Sequence, residues 1–235
     1  MILWHTDGKG SRVTINQRRP RPVHALIDWN SELHAQRTSS GGDDTAIARI
    51  ALKRTCRDIG KLLAIKAPDT VFSLHLRAYH GWRRGFEPTP RRRALEEASR
   101  AFSPNDPSDP GLSAYTTRPT IVVQSLAFGD RLLGASDARL CGQALDHHLP
   151  STLQHDRAGQ PGEKMVDTAL VADLICLALE EDGSWLIVLG QDADLVPGIL
   201  AAEGLLKGSD RRVIFFARGG ISSSNPKIGD LVCRR

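Results

Sequence analysis

Trp185-Leu186-Ile187-Val188-Leu189-Gly190-Gln191-Asp192-Ala193-Asp194-Leu195-Val196-Pro197 runs from an unbroken apolar stretch, through a glycine, into two aspartates one residue apart. Leu186 to Leu189 is short and rich in branched side chains, which predicts a strand covered on both faces with Gly190 as its exit. The residues after Asp194, with Pro197 near the front, predict a helix. In an open parallel sheet, ligands bind beyond the carboxyl ends of the strands. Both acids are therefore expected at a ligand-binding rim, where a cation would offset their mutual repulsion. The rival reading is an N-cap, in which an aspartate accepts backbone N–H bonds and is favoured by the helix dipole.

The choice turns on whether other acids converge there. Val23-His24-Ala25-Leu26-Ile27-Asp28-Trp29-Asn30 repeats the grammar of an apolar strand ending in an aspartate, with a helix expected from Asp44 to Leu63. Lys164-Met165-Val166-Asp167 opens a strongly helical run reaching Glu180. On helical spacing Asp167, Val171, Leu174 and Ala178 share one stripe. An acid in the first turn of such a stripe is poorly solvated unless it stands at the rim of the core beside a charge partner. Asp28, Asp167, Asp192 and Asp194 are thus expected to meet at one rim. Asp173, six positions after Asp167, lies about 120° around the helix and is expected at the surface.

These three segments, in this order and spacing, resemble an NYN domain of the PIN-like nuclease superfamily. The similarity runs from about Val23 to Ala217, leaving out a poorly matching middle. It departs at Gly190-Gln191, where members often have Ser-Gly, and at Leu195, where they often have an aromatic residue. The resemblance implies a Rossmann-like α/β/α sandwich with a mainly parallel central sheet, whose acids hold divalent metal for hydrolysis of RNA phosphodiester bonds. Carried over by position, the metal-holding and catalytic acids are Asp28, Asp167, Asp192 and Asp194, with Asn30 adjacent. The cofactor expected is Mg²⁺ or Mn²⁺, both of which take hard oxygen ligands. One ion or two remains open, since a pair about 4 Å apart and a single ion would use overlapping acids.

Length and charge set the outer limits. With 235 residues and 40% apolar side chains, the chain can bury one generous core. It reads as an extension over 1–22, with a possible hairpin across Asp7-Gly8-Lys9-Gly10, followed by one domain over 23–235 with insertions near 86–118 and 129–163. The net charge of +4 is modest, yet its arginines are grouped: Arg18, Arg19 and Arg21; Arg83 and Arg84; Arg91 to Arg93; Arg211 and Arg212; Arg234 and Arg235. Planar guanidinium groups suit phosphate, although a charge cluster is more often a solvated face. Cys56, Cys141, Cys176 and Cys233 form no paired metal motif, and Cys56 and Cys176 read as small buried apolar residues. His147-His148 has no acid or cysteine at zinc spacing. Met1-Ile2-Leu3-Trp4 gives way at once to polar residues, and no apolar run is long enough to span a bilayer. A cytoplasmic setting without membrane partners is expected, with homo-oligomer formation open.

Between the acids, Thr70 to Tyr79 and Thr120 to Leu126 predict further strands, Arg91 to Phe102 a short basic helix, and Arg212 to Ala217 a last strand. Asp43 and Asp44, after Ser39-Ser40-Gly41-Gly42, read as helix caps, and Gln160-Pro161-Gly162 as a turn. If Thr70 to Tyr79 lies parallel to the first strand, Tyr79, His80, Trp82, Arg83 and Arg84 fall at the same edge as the acids. Trp82, Arg83 and Arg84 are then candidates to hold single-stranded nucleic acid by stacking and charge. Trp82 packed over a core edge is the competing reading. Lys164 either touches phosphate or is solvated, and Asn30 either positions a water or serves a turn or cap. The functional expectation is a metal-dependent ribonuclease acting on single-stranded or structured RNA. The alternatives are a DNA or structure-specific nuclease and a catalytically silent RNA-binding module. A nucleotide-sugar transferase would explain Asp192 and Asp194 but leave Asp28 and Asp167 without a role.

Overall fold

The computed structural model describes residues 20–37, 43–100, 121–136, 148–155 and 159–217. In chain order its elements are β1 (Arg21–Asp28), α1 (Trp29–Arg37), α2 (Asp44–Lys66), β2 (Phe72–Tyr79), β3 (Arg83–Arg84), β4 (Glu87–Pro88), α3 (Pro90–Arg100), β5 (Ile121–Phe128), β6 (Leu153–His155), β7 (Pro161–Glu163), α4 (Val166–Leu179), β8 (Trp185–Leu189), α5 (Val196–Leu205) and β9 (Val213–Phe216). Short 3₁₀ turns occupy Leu133–Ser136 and Ala193–Leu195.

Five strands form one parallel sheet in the order β5-β2-β1-β8-β9. Side chains alternate across the sheet, so each strand serves two cores. Val23, Ala25 and Ile27 of β1, with Leu74, Leu76, Ile187 and Leu189, join a core that includes α1, α2 and α3 residues. On the opposite face Leu26, Leu186 and Val188 pack with Leu170 and Leu174 of α4 and Ile199 and Ala202 of α5. β8 is buried at all five positions, which explains its unbroken apolar sequence. The result is a three-layer α/β/α sandwich of Rossmann type, the fold that the family resemblance implies.

The order of the strands places the site. From β1 the chain goes outward to β2 and β5 on one side, then returns to β8 and β9 on the other. The order therefore reverses between β1 and β8, and at such a reversal the connections leave in opposite directions and open a crevice. Asp28 is the last residue of β1, and Gly190 follows the last residue of β8.

Several expectations are corrected. A helix, α1, begins directly after Asp28, whereas the first helix was expected only at Asp44. The Gln160-Pro161-Gly162 turn is instead the entry to β7, which pairs antiparallel with β6. Asp43 stands at the N-cap of α2 without a side-chain capping bond. Cys176 is half-buried, while Cys56 is fully enclosed and its thiol is pushed up to about 12 by burial. Asp173 is wholly buried rather than at the surface. Its carboxylate accepts bonds from Arg77 Nε at 2.6 Å, the Tyr79 hydroxyl at 2.8 Å and the Leu133 backbone N–H at 2.7 Å. The expected hairpin ahead of Val23, together with Cys141, Cys233 and His147, lies outside the described residues.

Candidate functional site

Asp28 ends β1 and caps α1. Its Oδ1 accepts the backbone N–H of Asn30 at 3.1 Å and of Ser31 at 3.4 Å, and the Ser31 hydroxyl donates to Oδ2. These are the second and third helical positions, the donors that an N-cap side chain reaches. Asp28 is only 8% exposed, and burial pushes its carboxyl above the usual range. The bonds from Ser31 and Asn30 oppose that rise, and the charge of Asp192 adds to it. Gly190 allows the close approach of the two strand ends: a Cβ there would stand 2.8 Å from Leu195 Cδ1 and 3.4 Å from Asp28 Cβ.

Across the crevice, Asp192 Oδ1 accepts the Asp194 backbone N–H at 2.9 Å, starting the 3₁₀ turn that leads into α5. Both aspartates are exposed. The N-cap reading is thus correct for one oxygen of Asp28 and one of Asp192.

Capping does not account for Asp167. It lies in the first turn of α4, half-buried, and accepts no hydrogen bond from the described residues. Burial raises its carboxyl most, followed by the charges of Asp192, Asp28 and Asp194. The fold therefore brings Asp28, Asp192 and Asp194 within electrostatic reach of Asp167, and Asp192 within reach of Asp28. The ion pairs formed by described residues use other acids, so no cation in this part of the chain neutralises the four. As placed, no group of three or more aspartate, glutamate, histidine or cysteine side chains among the described residues could hold a metal ion.

Entry to α4 is held in an uncommon backbone shape. Met165 has φ 62° and ψ 4°, the left-handed region seldom adopted by a residue with a side chain. The Lys164 N–H donates to the Thr152 carbonyl at 2.9 Å, which ties this bend to the start of β6. Lys164 and Met165 are both exposed beside Asp167.

The other sequence candidates divide. Asn30 serves the α1 cap through its backbone, as the cap reading expects. Arg84 is exposed at the strand-end edge, consistent with a surface role. Trp82 is fully buried, so it packs over the core edge and offers no face to a base. Its ring stands edge-on to His80 and Phe128, and its Nε1 donates to the Ala78 carbonyl at 2.8 Å. Arg83 is not a free phosphate ligand: its Nε donates to Asp130 at 2.7 Å and its Nη1 to the Phe86 carbonyl at 2.6 Å. Tyr79 and His80 are buried at the same edge.

Sequence reading missed Asp130, which is 1% exposed and receives Arg83 and Arg92. Burial alone would push its carboxyl up. Hydrogen bonds from Arg92 and Arg83, with the charges of Arg92 and His148, outweigh burial and hold it below the ordinary carboxylate range. A lone aspartate in a weakly patterned stretch carried no local signal, because its partners come from β3 and α3. Comparison with protein-family models, with curated proteins and with solved structures found no match to this chain.

Proposed function

We propose that the crevice between the ends of β1 and β8 binds Mg²⁺ or Mn²⁺ and hydrolyses phosphodiester bonds of RNA, in the manner of the NYN domains that the sequence resembles. The observation that carries this reading is the convergence of Asp167, without a bonding partner among the described residues, on Asp28, Asp192 and Asp194 at the topological switch point. An all-carboxylate oxygen set suits a hard divalent cation. Magnesium is usually held by one or two carboxylates and keeps several waters, so a closed cage of side-chain oxygens is not required.

A bound divalent ion would supply charge for the phosphate and lower the pKa of a coordinated water. The chain supplies orientation. Asn30 and Ser31 hold the Asp28 carboxylate in one rotamer, and the Asp194 N–H holds Asp192, leaving further lone pairs on both acids for a ligand. Asp167 is the residue with the spare capacity to accept a proton from water or to complete the ion's coordination. Lys164, exposed three residues before Asp167, would meet phosphate charge.

The test is cleavage of labelled RNA with Mg²⁺, with Mn²⁺ and with EDTA, comparing wild type with Asp192→Asn. Loss of a catalytic acid of this kind should lower the rate at least about 100-fold, the scale of a lost general base or electrostatic contact. Asp192→Asn should retain its melting temperature. Unchanged, EDTA-resistant cleavage by that variant would refute the assignment. A DNA substrate in the same series separates a ribonuclease from the DNA reading.

A further inference from the structure

With Trp82 buried, the most exposed large aromatic side chain among the described residues is Phe86, at 75%. It occupies the tip of the β3–β4 hairpin, next to Gly85 with φ 61°. A large apolar ring left in water is unfavourable, and a flexible loop could relieve the exposure by folding the ring inward. Here the tip is held instead. The Gly85 carbonyl accepts the Ser151 N–H at 2.8 Å, the Phe86 carbonyl accepts Arg83 Nη1, and Arg83 is anchored on buried Asp130. Thr152 joins the hairpin to the acidic crevice: its hydroxyl accepts the Arg83 N–H at 2.8 Å, and its carbonyl accepts the N–H of Lys164, three residues before Asp167.

We infer that Phe86 is a stacking platform on which a base of single-stranded RNA rests as the strand enters the acidic crevice, an inference that builds on the nuclease reading above. Charge around the ring fits this occupant. Of the arginines between His80 and Arg93, Arg83 and Arg92 are paired with Asp130, while Arg84, beside the hairpin tip, and Arg93 are exposed. Aromatic stacking accepts any base, while neighbouring cations follow the phosphates. A duplex hides its base faces, so the platform favours single strands.

Binding of a fluorescein-labelled single-stranded RNA is measured by anisotropy in EDTA, where metal-dependent cleavage stops, for wild type, Phe86→Ala and Phe86→Trp. Phe86→Ala should weaken binding about tenfold, within the range found when a base loses an aromatic partner, and Phe86→Trp should retain it. An oligonucleotide lacking its bases and a duplex of equal length should bind wild type and Phe86→Ala alike. Equal affinity of wild type and Phe86→Ala for single strands overturns the platform, as does an equal loss on the base-free strand. So does a dimer that Phe86→Ala dissolves without a change in RNA affinity. The two proposals fail separately: Phe86-dependent binding without cleavage removes only the nuclease, and Asp192-dependent cleavage indifferent to Phe86 removes only the platform.

Discussion

Asp130 and Asp167 are two half-hidden or hidden carboxylates with opposite fates, and the difference lies in their neighbours. Asp130 sits among Arg83, Arg92 and His148, while Asp167 sits among three other acids. A carboxyl held below its unfolded value stabilises the fold above the unfolded pKa, and this contribution is lost as pH falls through the folded value. For Asp130 the sign is therefore fixed: wild type should exceed Asp130→Asn in stability at neutral pH, and the gap should close as pH drops below about 4. Breaking a buried pair of this kind costs about 3–5 kcal/mol, measurable by urea unfolding at a series of pH values. A gap that widens in acid would contradict the assigned network. None of this was legible around Asp130 in the sequence, since two arginines distant in the chain create it. Asp28 and Asp192 were legible because each closes an apolar run, a signal contained within a few residues.

At the scale of elements, Arg211 shows how a cluster read as surface charge becomes part of the frame. Its guanidinium donates to the Leu177 carbonyl at 2.7 Å, the Ala178 carbonyl at 3.1 Å and the Ser184 carbonyl at 3.0 Å, and also to the Glu180 carbonyl. The last carbonyls of a helix have no partner within it, and a cation there also meets the favourable end of the dipole. Arg211 thus closes the C-terminus of α4, the helix whose opposite end presents Asp167. Arg211→Met should destabilise the protein by about 1–3 kcal/mol, with Arg211→Lys recovering only part, because one ammonium cannot reach the same set of carbonyls. Denaturant midpoints for the three proteins check this. Equal loss and recovery would show that only the charge matters. Strands were read well where burial made them uniformly apolar, as in β8. α1 was not expected from the sequence, and the bonds from the Asn30 and Ser31 N–H groups to Asp28 turn the chain at once into a helix.

For the whole molecule, the decisive arrangement is the reversal of strand order that sets Asp28 beside the exit of β8. The β3–β4 hairpin is tied through Thr152 to Lys164, three residues before Asp167. If the crevice takes Mn²⁺, saturation at 100 times the dissociation constant should stabilise the native state by about 2.7 kcal/mol. For a chain of this size that is a rise in melting temperature of roughly 5–10 °C. Asp167→Asn should cut the rise, and an unshifted wild type would count against the site. No helix among the described residues is long and apolar enough to cross a membrane. The sequence by itself determined the alternation of buried strands and helices and the acids that terminate them, because periodicity and strand-end punctuation are local properties of the chain. Only the tertiary structure decided that Trp82 is core, that Asp173 and Asp130 are internal anchors, and that Phe86 is the ring left in water. Burial and ion pairing depend on partners distant in sequence, and the packing of the sheet brings those partners together.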